Sequence, residues 1–535
     1  MMISRRNFTS LSVLAVGTLM LNACSSDKSK GAIQDSSADF GLQSSGYPVV
    51  TKPLTLTFSG SKSALAPDYK GMTLVQEWQK TTNITVDWQN LPDNVYQEKK
   101  NLILASGDLP DAFFNTGLSD SEVATYGTNG TLLALETLID SHAPNLKKIL
   151  EARPDIKAAI TSSDGHIYTL PSVEELGLVQ FPHMIAINKT WLDKLGLAVP
   201  TTIDEYHDAL LAFKKADPAG GGKTIPLSYE PGTFCGDIVD LIAALGGIPD
   251  NVDHRIVQDG KVVFTAVQPQ YKKAISALNS WYKEGLIDPE SFSQDDKSYL
   301  AKGKTTTQSL GSFVWWEIKE MVGEDQAGDY VLVPILTGVD GKKLASVANN
   351  QEINRGAFAV TRANKYPAAT MRWVDYLYEP VQSAQANWGP IGVTLEKDAK
   401  GVLVQIPADA STSEGERRQK VAPGGPKVIT KEDFINVVAP EPRAAERQKI
   451  VQEMYLPHAA NAAYPPVPLS NEELQQISSI ETDVTSLTKQ KLAKWIVQGG
   501  VDAEWDGYVS QLKGIGLDRM IETYQQAYDR FQSNS

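Results

Sequence analysis

The chain holds 535 residues, 42% of them hydrophobic and 21% charged, with 40 glycines and 29 prolines, a balance that excludes disordered and collagen-like chains. A single core stops growing well below this length, so two or more lobes of about 100 to 250 residues each are expected. Fifty Lys and Arg stand against 64 Asp and Glu, a formal charge of −14 with no offsetting basic run, which argues against nucleic acid as a partner.

Residues 1–23 read as an export signal. Arg5 and Arg6 form its positive region, and Leu11 to Ala23 are apolar apart from Ser12, Thr18 and Asn22. That run is shorter than the about 20 residues that cross a bilayer as a helix. It ends in Leu21-Asn22-Ala23-Cys24, which resembles the bacterial lipobox, so Cys24 is the expected lipidation site and a membrane anchor that does not span. Ser4-Arg5-Arg6-Asn7-Phe8 resembles a twin-arginine signal, but Thr9 and Ser10 depart from its leucine and lysine, which leaves the export route open. The other cysteine, Cys235, has no His nearby in sequence and reads as an inert buried thiol. Residues 24–47 are rich in Ser, Asp, Lys and Gly and are expected to form a flexible tether.

Order is expected from residue 53. Leu54, Leu56 and Phe58 alternate with Thr as in a strand with one buried face; a helix over 73–80 and a second alternating run of Ile84, Val86 and Trp88 follow. Strand, helix and strand within about 35 residues predict a right-handed parallel crossover. Further on, Thr202 and Glu205 form a capping-box pattern, and Ile203, Tyr206, Ala209, Leu210 and Phe213 fall on one helical face. Residues 331–336 and 357–360 read as strands, and 471–496 and 516–531 as amphipathic helices, the last with Met520, Ile521, Tyr524, Tyr528 and Phe531 inward. The chain is α/β and ends in helices, with no repeat that suggests a solenoid.

Enzyme signatures are missing. Asp217-Pro-Ala-Gly-Gly-Gly-Lys223-Thr224 ends like a phosphate loop but opens on Asp217 instead of glycine, and there is no GxSxG, HExxH or paired CxxC. The six histidines lack ligand spacing, so no catalytic metal is expected. The adjacent acids Glu174 and Glu175 leave a glycosidase open as an alternative, because two carboxylates at a suitable distance suffice for that chemistry. Ten Trp and 19 Tyr supply flat faces with polar edges, which suit sugar rings; Gly311-Ser-Phe313-Val-Trp315-Trp316 and Asn387-Trp388-Gly389-Pro390 are the runs placed beside small or turn-forming residues.

From about residue 53 onward the chain resembles the extracellular solute-binding proteins of carbohydrate ABC transporters, family one, in its long oligosaccharide-binding lipoprotein branch. The resemblance is carried by Ala105-Ser-Gly-Asp-Leu-Pro-Asp111-Ala-Phe-Phe114, Asp164-Gly-His-Ile-Tyr168-Thr-Leu-Pro171, Ile187-Asn-Lys-Thr-Trp191-Leu-Asp-Lys-Leu-Gly196 and Trp505-Asp-Gly-Tyr508, in that order and spacing. It implies a two-lobed periplasmic-binding-protein-like fold of type II. Each lobe would be a mixed sheet flanked by helices, with lobe one at 48–177 and 338–390 and lobe two at 178–337 and 391–535. It further implies an extracellular, lipid-anchored monomer without enzymatic activity or cofactor. Its partners would be an oligosaccharide ligand and permease subunits, with hinge closure on the ligand; a peptide receptor of similar shape is the other alternative.

Site residues follow from the resemblance alone. Asn115 and Thr116 lie where the family meets its sugar, or form a plain helix cap. Glu175 follows the Tyr168-Thr-Leu-Pro171 strand near the first crossing, as an acceptor for a sugar hydroxyl or as a solvated acid. Glu230, in Tyr229-Glu230-Pro231, matches an acid that approaches ligand in maltose-type relatives, with Phe234 close behind. Phe313, Trp315 and Trp316 match the segment that supplies a stacking ring, and Trp388 stands before glycine where the branch often has an aromatic. The calcium loop of several relatives is reduced here to Asp217, so no metal is expected.

Overall fold

The computed structural model describes residues 34–349, 352–408 and 414–534; the export signal and Cys24 lie outside them. The tether is shorter than its composition suggests. Asp35 accepts from the Ser37 N–H at 3.0 Å, Ser36 N–H donates to the Lys365 carbonyl at 2.8 Å, and Ala369 N–H donates to Ser37 Oγ at 3.0 Å. Ser and Asp here supply local turn bonds that seat the segment on the folded body, a use that composition alone does not separate from solvation.

Six strands form the sheet of the first lobe, in spatial order Lys427–Ile429, Leu170–Glu174, Ile353–Val360, Ala112–Phe114, Leu54–Lys62 and Ile84–Pro92. Leu54–Lys62 pairs in parallel with Ile84–Pro92 across the helix Thr73–Thr82, as the alternation predicts. Ile353–Val360 runs antiparallel to both of its neighbours. The alternating residues Leu54, Leu56 and Phe58 are buried, and Phe58 meets Trp88, Phe358 and Trp373 edge-on at 5.7, 5.5 and 5.1 Å. An aromatic cluster, buried except for the partly exposed Trp88, therefore fixes this lobe, since each such ring removes a large apolar area from water.

The second sheet has four strands, Tyr330–Leu332, Ile185–Asn188, Leu310–Val314 and Ile225–Ser228. Only the last two run parallel. The expected strand over 331–336 covers Tyr330–Leu332 and stops before Pro334, which has no N–H for the ladder. The helix Ile203–Ala216 has the predicted capping box and buries the five predicted residues. The terminal helices Asn471–Gln498, Val501–Ile515 and Leu517–Asn534 close the same core, Met520, Tyr524 and Phe531 being buried there and Ile521 and Tyr528 partly so.

The lobe boundaries differ from those drawn above. Lys427–Ile429 pairs in parallel with Leu170–Glu174, so it belongs to the first sheet, and Trp388, Leu395, Leu403, Ile429 and Phe434 pack as one cluster beside it. Conversely, residues 338–349 stay with the second lobe. Val339 N–H donates to the Ala244 carbonyl at 2.9 Å and Ser346 N–H to Asp240 Oδ1 at 2.7 Å. A three-residue strand is too short to show a period, so its partner is decided by tertiary contacts that sequence pattern does not register.

Candidate ligand cleft

Open sheets place ligands beyond the carboxyl ends of their strands, and two adjoining cavities sharing Arg418 lie in this region. The first, 540 Å³, is lined by Lys62 at the end of Leu54–Lys62, by Asn115 just past Ala112–Phe114, and by Asn387, Arg418 and Lys427. Asn115 adopts φ 56°, and its Nδ2 donates to the Pro423 carbonyl at 3.1 Å. At Gly60, on the strand that ends in this cavity, a Cβ would sit 1.6 Å from the Phe114 carbonyl oxygen, so neighbouring strands approach too closely for any side chain there.

Lys427 is 9% exposed and donates to Ser172 Oγ at 2.8 Å. Burial pushes its ammonium pKa down to about 8 against the opposing pull of Glu174. Arg418 donates to Asn387 Oδ1 and lies 3.4 Å from Glu174 Oε2.

The second cavity, 740 Å³, has Trp388, Gln405, Arg417 and Arg418 on one side and Lys319, Glu320 and Arg443 on the other. The Arg418 guanidinium lies 5.7 Å from the Trp388 ring centre. Trp316 lines neither cavity, and Arg447 and Arg443 lie 4.4 and 5.3 Å from its ring centre. Arg443 is itself held 2.6 Å from Glu317 Oε2. A guanidinium on an indole face occupies the surface a sugar ring would use.

Of the residues named from sequence, Asn115 and Trp388 line these cavities. Thr116 does not: it is fully buried, its Oγ1 donating to the Gly356 carbonyl at 2.7 Å. Phe313 is likewise enclosed, 5.2 Å from Tyr330, and Trp315 packs edge-on against Tyr299 at 5.7 Å. Both sheet faces are covered here, so all of Leu310–Val314 is buried and proximity to glycine does not bring a ring to the surface.

Glu175 is tied to Arg153 at 2.6 Å and lines a separate 290 Å³ pocket with Leu176, Phe434 and Ile435. Glu230 is 7% exposed and lines another cavity, of 380 Å³, with His254, Phe292 and Lys489. Burial first, and Asp296 second, raise its carboxyl to about 7. Phe234 is exposed but lines none of these four cavities. Cys235 is buried, and burial pushes its thiol up to about 12. In the loop expected to lack calcium, Asp217 spends its carboxylate on the N–H groups of Gly222 at 2.7 Å and Thr224 at 3.3 Å. Sequence reasoning missed Arg418, Lys427 and Arg443, which carry no motif and converge only in space, and it singled out the run that contains Asn387 only for its tryptophan.

A family model for bacterial extracellular solute-binding proteins matches residues 65–384. The chain belongs to that family. Fructooligosaccharide ABC transporter substrate-binding protein FusA of Streptococcus pneumoniae is 36% identical to this solute-binding protein over 546 aligned residues, 99% of each chain. Polygalacturonan/rhamnogalacturonan-binding protein YtcQ of Bacillus subtilis is 31% identical, over 57% of this chain and 59% of its own. Among solved structures, FusA in complex with kestose superposes with a TM-score of 0.78 at 38% identity, covering 90% of this chain and all of that one. An extracellular solute-binding protein from Bifidobacterium longum subsp. infantis gives 0.80 at 25% identity, covering 90% and 99%. The fold is the two-lobed α/β fold of these solute-binding proteins.

Proposed function

We propose that this protein is the lipid-anchored, extracellular receptor of an ABC importer, holding an oligosaccharide between its lobes and passing it unaltered to a permease. The observation that carries this reading is the pair of neighbouring cavities that share Arg418, one lined by Asn115, Asn387 and Lys427 and the other by Trp388, Arg417 and Arg443. A flat apolar face beside charged hydrogen-bond donors is the chemistry that holds a polyol. Similarity to FusA along the whole chain supports a fructooligosaccharide as the first ligand to test. Binding without turnover accords with the placing of the adjacent acids: Glu174 lies 3.4 Å from Arg418, and Glu175 is tied to Arg153 and lines a separate pocket. Anchoring through Cys24 would keep the receptor near its permease.

Calorimetric titration and thermal melting of the mature chain with kestose, nystose, maltotriose and trigalacturonate test the reading. A ligand at 100 times its Kd adds about 2.7 kcal/mol of stability, and chromatography should return the saccharide intact. Absence of any shift across the panel, or release of monosaccharide, would overturn the proposal. Cys24→Ser should release the protein from cells into the medium.

A further inference from the structure

The first-lobe cavity contains a buried charge to which the fold gives one hydrogen bond and no ion pair, Glu174 acting on it only from a distance. Lys427 sits on the short strand that completes the first sheet, buried to about nine-tenths, and faces the 540 Å³ cavity. An ammonium group carries three donor hydrogens. Among the described residues, Ser172 Oγ is its hydrogen-bond partner, and no carboxylate lies within ion-pair distance. Burying a cation on such terms is costly unless another group supplies oxygens. A second donor in the same cavity is also unused: Asn387 is 1% exposed, its Oδ1 accepts from Arg418, and its Nδ2 has no partner. With Arg418 oriented by Asn387 and Glu174, the cavity presents donors from three separate elements to one space.

We infer that Lys427 is a ligand-contacting, specificity-determining residue that donates from its ammonium group to acceptor oxygens at one end of the bound saccharide, with Asn387 Nδ2 beside it. This rests on the receptor reading above and deepens it. The chemistry required is a cluster of acceptor oxygens, which a vicinal diol and a uronate carboxylate both provide. A bracing role for Lys427 would not need the charge, since a neutral donor serves Ser172 equally well. The groups facing Lys427 are Ser172 and Glu174 on the adjacent strand, Arg418 from the helix Glu414–Val421 and Asn387 from the helix Pro380–Trp388, with Lys62 and Asp93 farther along the lining. Because burial lowers the ammonium pKa to about 8, a ligand held by its proton should be lost as the pH rises past that value.

The test uses Lys427→Met in the mature chain, with kestose, nystose and trigalacturonate as probes. Expected are a fall of about tenfold or more in affinity for whichever probe the wild type binds and a rise in the melting temperature of the ligand-free variant, since an unpaired buried charge is gone. Wild-type affinity should fall between pH 7 and 9.5 while that of Lys427→Met stays flat. A much larger loss for trigalacturonate than for kestose assigns the acceptor as a carboxylate, and equal losses assign it as a diol. Affinity within twofold of wild type, or a lower ligand-free melting temperature, overturns the inference. If the wild type binds none of the probes, the oligosaccharide reading fails by itself. The ligand-free melting temperature then decides the role of Lys427: a rise supports a donor left for a different ligand, and a fall marks a structural brace.

Discussion

Trp388 is held from two directions. Phe434 meets its ring edge-on at 5.9 Å, and Arg418 lies 5.7 Å from its centre, leaving the side chain 5% exposed at the wall of the larger cavity. A sugar ring must share that face with the guanidinium or displace it, so packing and binding are coupled at one residue. Trp388→Ala should lower saccharide affinity by about tenfold or more and destabilise the fold by roughly 3–5 kcal/mol, because it also empties a packed cluster. Trp388→Phe separates the two effects: calorimetry should find stability nearer to wild type and affinity still reduced. Unchanged affinity in both variants would remove Trp388 from the site. Cys235 offers a simpler check, because a buried thiol raised to about 12 should resist a thiol reagent at pH 8 in the native protein and react once it is denatured.

Among elements, Asp375 shows how one helix starts another. From the helix Pro367–Leu377 its carboxylate accepts from the N–H groups of Asn145 and Leu146 at 3.2 and 2.9 Å, satisfying the open N-terminus of Pro144–Ala152. Burial outweighs these donors and raises the carboxyl to about 6. A folded-state pKa above the unfolded one means that bound protons favour the fold; the contribution is complete below about pH 4 and is lost as pH rises through 6. Asp375→Asn, a neutral isostere of the protonated carboxyl, should therefore stay near wild-type stability below about pH 4 and lose less than wild type between pH 4 and 7, the difference being roughly 3 kcal/mol by denaturant titration. Elements of this kind also mark what a sequence can express. The helix Ile203–Ala216 is readable because its cap and apolar face are local, and the Leu54–Lys62 crossover because its alternation is long enough to count. The strand Lys427–Ile429 and the guanidinium cover over Trp316 depend on residues more than a hundred positions away, and they decide the lobe boundary and the cleft wall. Asn115 and Trp388 could be named because they fall where the resembled family has its ligand-facing segments; Arg418 and Lys427 lie in no segment that carries the resemblance.

Across the whole molecule, a chain of net charge −14 carries Lys62, Lys319, Arg417, Arg418, Lys427 and Arg443 on the walls of the two cavities that share Arg418, against Asp93, Glu320, Glu441 and Glu446 on the same walls. Lys62, Asn115 and Lys427 belong to the first lobe, whereas Lys319 and Glu320 belong to the second, carried by the helix Ile318–Val322 that follows its sheet strand. A ligand favours the closed arrangement only through contacts that differ between open and closed forms, and those are the contacts reaching it from both walls at once. Contraction and affinity should therefore separate when one wall is stripped. Small-angle scattering of the wild type should show a smaller radius of gyration with saturating saccharide than without it. Lys319→Ala combined with Arg443→Ala should keep the first-lobe contacts and measurable binding but lose the contraction, and cells carrying this variant should import the saccharide poorly. A neutral saccharide should bind with little salt dependence, whereas an anionic one should weaken as ionic strength rises, because the basic walls are screened. A wild type whose scattering is unchanged by a ligand that it binds would leave the cleft as a static surface, and a double variant that contracts normally would place the closing contacts elsewhere on the second lobe.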